Sequence, residues 1–186
     1  AESALRNRDR EHAHARAALA GAGPPHALAL VLDNVRSAFN AGSLFRTAEA
    51  ARCAELVTCG LTPHPPHAKL RKTAFAAVDL VPSRHFASTR DAVAALRAEG
   101  RAVYALETMD GARPYTAVEY PRARDGGVAL VLGNEVTGVD PEVMAMCDAV
   151  VEIPTYGVKN SLNVAAAGPI VIYEVLRQWH AAAVPQ

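Results

Sequence analysis

The sequence predicts an α/β fold in which a mostly parallel sheet is flanked by helices. Two observations support this prediction. Continuous apolar runs of strand length, such as residues 27–32 and 128–132, are typical of strands that are covered on both faces. These runs alternate with segments of helical periodicity, such as residues 89–99, as the crossover connections of a parallel sheet require.

Composition indicates a single globular domain with a short extension. Half of the 186 residues are hydrophobic and 20% are charged, which is enough apolar material for a substantial core. We expect residues 1–25 to form a short helical extension and residues 26–186 to form the domain. Residues 1–20 are basic, and they suit either a solvated helix or an arm that contacts RNA.

The same composition excludes several classes of protein. No run approaches about 18 apolar residues, so we expect no membrane span. The polar N-terminus does not resemble a secretory signal, and three cysteines without paired spacing suit free thiols, so a cytoplasmic protein is expected. The formal net charge of zero gives no global argument for nucleic acid.

The first half of the domain is predicted to be a strand–helix–strand unit. Residues 27–32 and 55–59 are the strands, and residues 41–52 form the helix, with Asn40 at its N-cap position. Residues 33–39 form the loop between them.

Residues 60–72 are predicted to be a proline-rich loop. His64 and His67 suggest a metal site, but no Cys, Asp or Glu nearby completes a ligand set, so no metal is expected. The densest basic cluster of the chain ends this loop and consists of Lys69, Arg71 and Lys72. It suits either a phosphate contact or ordinary solvation.

The second half continues the alternation. Further strands are predicted at residues 78–81, 102–106, 128–132 and 149–153, and helices at residues 89–99 and 141–146. A final helix over residues 162–181 is apolar around much of its circumference, which predicts a homodimer interface covering it.

Three polar loops follow the carboxyl ends of predicted strands, at residues 33–40, 133–138 and 155–163. Open parallel sheets bind ligands at that edge. The loops contain no GxGxxG, Walker or nucleophile-elbow pattern, which leaves a small-ligand site formed by Arg, Asn, Glu and Ser. For the third loop, an ordinary capped turn is an equally good interpretation.

The three loops resemble the motifs of the SpoU–TrmH family, the ribose 2′-O-methyltransferases of the SPOUT superfamily. The matching segments are NVRSAFNAGSLFRTA from residue 34, LVLGNEVTGV from residue 130 and IPTYGVKNSLN from residue 153. Their order and separation also match, over roughly residues 27–180. Ala165 and Gly168 depart from the family's usual pattern in the final helix.

The resemblance implies a deep trefoil knot at the C-terminus, a homodimer, and S-adenosyl-L-methionine held in the knotted loops. The cofactor would meet the backbone of Leu106, Gly133, Ile153 and Leu162. The catalytic group would comprise Arg46, Asn40, Glu135, Ser161 and Asn163, with the arginine arriving across the dimer interface. RNA contacts are expected from Arg36, Lys69, Arg71 and Lys72.

The expected activity is methyl transfer to an RNA ribose 2′-hydroxyl, on tRNA in preference to rRNA. The alternatives are an rRNA enzyme, a base-methylating SPOUT enzyme and a knotted RNA-binding dimer without turnover. Because a guanidinium essentially never deprotonates in a protein, we expect Arg46 to hold the neighbouring phosphate and stabilise the developing alkoxide.

Overall fold

The computed structural model describes residues 23–181, which form a seven-stranded sheet in which every pairing is parallel. The strands are β1 (His26–Asp33), β2 (Cys53–Cys59), β3 (Ser83–Phe86), β4 (Ala102–Leu106), β5 (Arg113–Pro114), β6 (Val128–Leu132) and β7 (Ala149–Glu152). Their spatial order is β3-β2-β1-β6-β4-β7-β5. The prediction of a mostly parallel sheet is confirmed.

Helices cover both faces of this sheet. They are α1 (Ala38–Ala50), α2 (Ala68–Ala74), α3 (Ala77–Leu80), α4 (Thr89–Ala98), α5 (Pro141–Met144) and α6 (Val164–Ala181). Along β1, Leu30 packs in the core beneath α1 and α6, whereas Val31 packs in the core beneath α4 and α5. Burial on both faces explains why the central strands are continuously apolar.

The prediction of a strand at residues 78–81 is wrong. Residues Ala77–Leu80 form the single-turn helix α3, and the third strand is Ser83–Phe86. Val78 and Val81 are buried in the core, which accounts for their apolar side chains. A run of four residues is too short to show whether its apolar positions repeat with the period of a helix or of a strand. Strand β3 pairs only with β2, and an edge strand can be as polar as this one.

The N-cap of α1 is Ser37 and not Asn40. Ser37 Oγ accepts a hydrogen bond from the backbone N–H of Asn40, and the helix begins at Ala38. Both residue types favour this position, so sequence alone does not separate them. The earlier start leaves the Asn40 side chain free for other partners.

The predicted loop at residues 60–72 ends inside a helix, because α2 begins at Ala68. The basic cluster therefore lies on a short helix whose N-cap is His67.

The sequence prediction also missed β5, which is only two residues long. The N-terminal helix predicted over residues 1–20 lies outside the described residues. Within residues 23–181, no helix is long and apolar enough to cross a membrane.

Candidate active site

The carboxyl edge of the sheet contains a cavity of about 370 Å³. Strands β6, β4 and β7 are consecutive neighbours, so the loops that follow them meet there. The predicted cofactor residues Leu106, Gly133, Ile153 and Leu162 all line this cavity. Glu135, Ser161 and Asn163 line it as well.

Glu135 connects the first polar loop to the second. Its carboxylate accepts hydrogen bonds from the backbone N–H of Arg36 at 2.9 Å and of Ser37 at 3.0 Å, and from Asn40 Nδ2 at 2.8 Å. Partial burial by itself raises the pKa of Glu135, but these hydrogen bonds outweigh it and hold the pKa below its ordinary value. The carboxylate therefore stays ionised at neutral pH.

Asn40 extends this network to the third loop. Its side chain is only 6% exposed, and its Oδ1 accepts a 3.3 Å hydrogen bond from Asn163 Nδ2. Asn163 in turn starts α6, since its Oδ1 accepts the backbone N–H of Ala165 at 2.8 Å. One hydrogen-bonded row therefore joins three of the predicted catalytic residues, one from each loop.

Asn134 and Gly138 fix the shape of the second loop. The Asn134 side chain donates to the Asn34 carbonyl at 2.7 Å and accepts the N–H of Val136 at 2.8 Å. Gly138 has a φ of +71°, and the Cβ of any larger residue there would lie 2.1 Å from Glu107 Oε2. This loop accordingly needs glycine at position 138.

Sequence reasoning missed Glu107, although this residue directly follows β4 in the manner of the three recognised loops. Its carboxylate lines the cavity and accepts the N–H of Val139 and the N–H of Thr108, both at 2.9 Å. A second ionisable carboxylate therefore faces the cavity besides Glu135. None of the residues that line the cavity is Lys or Arg.

Arg46 lies elsewhere. Its exposed side chain lines a second cavity, of about 670 Å³, which also includes Pro169 and Tyr173 of α6. The guanidinium carbon is 5.4 Å from the centre of the Phe75 ring. The structure thus brings four of the five predicted catalytic residues to one edge of a single chain and leaves the fifth on another surface.

The residues predicted to bind RNA differ in how available they are. The side chains of Lys69 and Lys72 are exposed on α2, and Arg36 is exposed beside Glu135. Arg71 instead makes two hydrogen bonds to the Asp79 carboxylate, at 2.8 and 3.0 Å. Arg71 is therefore already partnered.

No group of three or more His, Cys, Asp or Glu that could hold a metal ion exists within residues 23–181.

Comparisons with known proteins identify the family. The model of the SpoU rRNA Methylase family matches residues 27–173. The tRNA (guanosine(18)-2′-O)-methyltransferase of Escherichia coli is 29% identical over 154 residues, which is 81% of this chain and 63% of that protein. The chain thus spans about three fifths of the length of this curated relative.

Solved structures agree. The AdoMet-bound rRNA methyltransferase of Sinorhizobium meliloti superposes with a TM-score of 0.74 at 30% identity, over 81% of this chain and 56% of that one. A structure concerning 2-OH methylation of C/U34 on tRNA gives a TM-score of 0.74 at 29% identity, over 84% of this chain and 99% of that one. With a family match over most of the described residues, the chain belongs to the SpoU rRNA methylase family.

Proposed function

We propose that this protein is an S-adenosyl-L-methionine-dependent RNA methyltransferase that modifies a ribose 2′-hydroxyl, with tRNA as the preferred substrate class. The observation that carries the proposal is the hydrogen-bonded row Glu135–Asn40–Asn163, because both of its end residues line the cavity on the carboxyl edge of the sheet. The E. coli relative is a tRNA methyltransferase, and the S. meliloti protein is an rRNA methyltransferase. Both names support RNA as the substrate.

The charge of the cavity suits this cofactor. S-adenosyl-L-methionine supplies a methyl group that is already activated by its positively charged sulfur. Two carboxylates, Glu107 and Glu135, and no basic residue line the cavity, so a cationic ligand is favoured there over an anionic one. Leu106, Ile153 and Leu162 provide apolar surface for a planar base.

The catalytic residues in this proposal orient groups and stabilise charge. The lowered pKa of Glu135 makes it a poor acceptor for the proton of a ribose hydroxyl, so we assign it to holding Asn40 in place. Ser161 and Asn163 would orient the ribose. Arg46 would bind the adjoining phosphate and stabilise the alkoxide as the hydroxyl proton passes to solvent water, because preorganised positive charge lowers that barrier.

The proposal includes a homodimer and the deep trefoil knot. Arg46 does not line the cavity that Asn163 lines, so a second subunit is the natural source of an arginine for that cavity. Helix α6 also exposes Ile170 (37%) and Tyr173 (52%), which another protein surface could cover, and Tyr173 lines the same cavity as Arg46. Family membership supports the knot, in which the C-terminal segment would thread through a loop.

RNA would approach along Arg36, Lys69 and Lys72, whose charges are exposed. Arg71 would contribute less, because two of its N–H groups already donate to the Asp79 carboxylate. The preference for tRNA is supported by the structure concerning 2-OH methylation on tRNA and by the E. coli tRNA methyltransferase, both of which resemble this chain. The S. meliloti relative keeps rRNA as the second candidate substrate.

Two measurements test the proposed function. Calorimetry should detect binding of S-adenosyl-L-methionine, and the absence of heat at millimolar cofactor would refute both the activity and the cofactor. Transfer of labelled methyl into total tRNA and total rRNA, followed by nucleoside analysis, should then yield 2′-O-methylribose in tRNA. Label in rRNA alone would select the second candidate, and a methylated base would refute the chemistry.

A further inference from the structure

Phe75, which follows α2, adopts a backbone conformation that is rare for residues other than glycine. Its φ is +54° and its ψ is −135°, a region occupied almost only by glycine. The side chain is 58% exposed, so burial of the ring offsets little of this strain. Strained residues of this kind persist where the surrounding structure fixes them, and they concentrate at functional sites.

The strain places the Phe75 ring against Arg46. The guanidinium carbon lies 5.4 Å from the ring centre, within the range of a cation–π interaction, and both side chains line the 670 Å³ cavity. The backbone before Phe75 is held firmly, since Thr73 Oγ1 donates to the Ala38 carbonyl at 2.8 Å and Ala74 is fully buried. Helix α2 is thereby fixed to the start of α1, which carries Arg46.

The N–H groups of Arg46 have no hydrogen-bond acceptor among the described residues. Among the described residues, its guanidinium takes part in no hydrogen bond and no ion pair, although Glu49 lines the same cavity. The ring attracts the guanidinium without using any of its N–H groups, which therefore stay available to a phosphate or an alkoxide. An ion pair to a carboxylate would have occupied those donors and neutralised the charge.

We propose that Phe75 is a positioning residue for Arg46: it holds the guanidinium by a cation–π contact and keeps its N–H groups directed at the RNA. This inference rests on the proposed function, since it assigns Phe75 to the same reaction. The strain at Phe75 is then the cost of placing an aromatic ring beside a side chain that would otherwise sample several rotamers. A fixed arginine matters because small losses of alignment reduce turnover.

Three substitutions test the proposal in the full chain. Phe75→Leu keeps an apolar side chain but removes the ring, and kcat should fall about threefold to tenfold while KM for S-adenosyl-L-methionine is unchanged. Phe75→Tyr keeps the ring and should retain kcat within about twofold of the wild type. Phe75→Gly relieves the strained backbone, so Tm should equal or exceed that of the wild type while kcat falls as in Phe75→Leu.

The Phe75→Gly variant separates a positioning role from a structural one. If Phe75 served only the stability of the fold, its replacement by glycine would lower kcat and Tm together. Wild-type kcat in Phe75→Leu and Phe75→Gly would overturn the proposal, as would a loss of activity that follows a loss of Tm. A wild-type protein that binds no cofactor would instead refute the proposed function.

A spectroscopic measurement tests the contact independently of turnover. The Cδ protons of Arg46 should show an upfield ring-current shift in the NMR spectrum, assigned with Arg46→Lys, and Phe75→Leu should abolish it. Unshifted Arg46 protons in the wild type would overturn the proposal whether or not the protein is active.

Discussion

At the scale of single residues, the carboxylate of Glu135 joins two loops of the chain by hydrogen bonds. It accepts three hydrogen bonds from the first loop while lying in the second. Charge-assisted hydrogen bonds of this kind are stronger than neutral ones. The ionised side chain thus joins the two loops that follow the paired strands β1 and β6.

Replacement of Glu135 by Gln should lower Tm at neutral pH, because the amide has no charge and one fewer accepting oxygen. The pKa of Glu135 is lowered on folding, so the unfolded chain binds the proton more readily. The stabilisation is complete above the unfolded pKa, about 4.3, and is lost as the pH falls through the lower folded pKa. Thermal melts of both proteins between pH 7 and pH 3 should therefore show the Tm difference shrinking on acidification. A difference that is constant or grows would contradict this role.

At the scale of secondary-structure elements, the contact between α1 and α2 depends on Gly42. A Cβ at this position would lie 2.1 Å from Thr73 Oγ1 and 2.8 Å from the backbone N of Ala74. The second of these atoms belongs to the main chain and does not move aside without displacing α2. Since α1 carries Asn40 and Arg46 and α2 leads into Phe75, this contact sets the positions of all three.

Gly42→Ala should therefore destabilise the protein, although alanine is the better helix former by about 1 kcal/mol. Overpacking at a close helix contact costs about 1–3 kcal/mol, which outweighs that gain. Gly157→Ala is the matched control, since a Cβ there would meet nothing within 4 Å and its φ is not in the left-handed region. Denaturant unfolding at one fixed protein concentration measures both variants. Equal stability of Gly42→Ala and the wild type would show that α2 can move away.

The same elements show what the sequence can and cannot predict. The buried strands and α4 have long, regular apolar patterns, and their types are predicted correctly. Strand β3 escaped prediction because a short polar edge strand lacks that pattern. The placement of the Asn40 side chain depends on a hydrogen bond to Glu135, which is 95 residues away in the sequence. The residues next to Asn40 in the sequence do not indicate that hydrogen bond. The strain at Phe75 is equally invisible, since local preference would assign glycine to such a φ.

At the scale of the whole molecule, the proposed active site is divided between two surfaces of one chain. The cavity with Asn163 lies at the carboxyl edge of the sheet, while Arg46 faces the second cavity beside Tyr173. Cyclic dimers present each surface twice, so two composite sites would form, each with Asn163 from one protomer and Arg46 from its partner. The proposal then makes activity a property of the pair of subunits.

Mixed dimers of Arg46→Ala and Asn163→Ala should recover activity that neither variant has alone. After unfolding and refolding of an equimolar mixture, half of the dimers are mixed, and each contains one site with both native residues. About a quarter of the wild-type methyl transfer is therefore expected. Thermal melts of each variant serve as the control, because Asn163 also caps α6 and its loss costs about 1 kcal/mol. If Arg46 acts within its own chain, every site in a mixed dimer lacks one of the two residues. Methyl transfer would then stay at the level of the separate variants, and the composite site would be refuted.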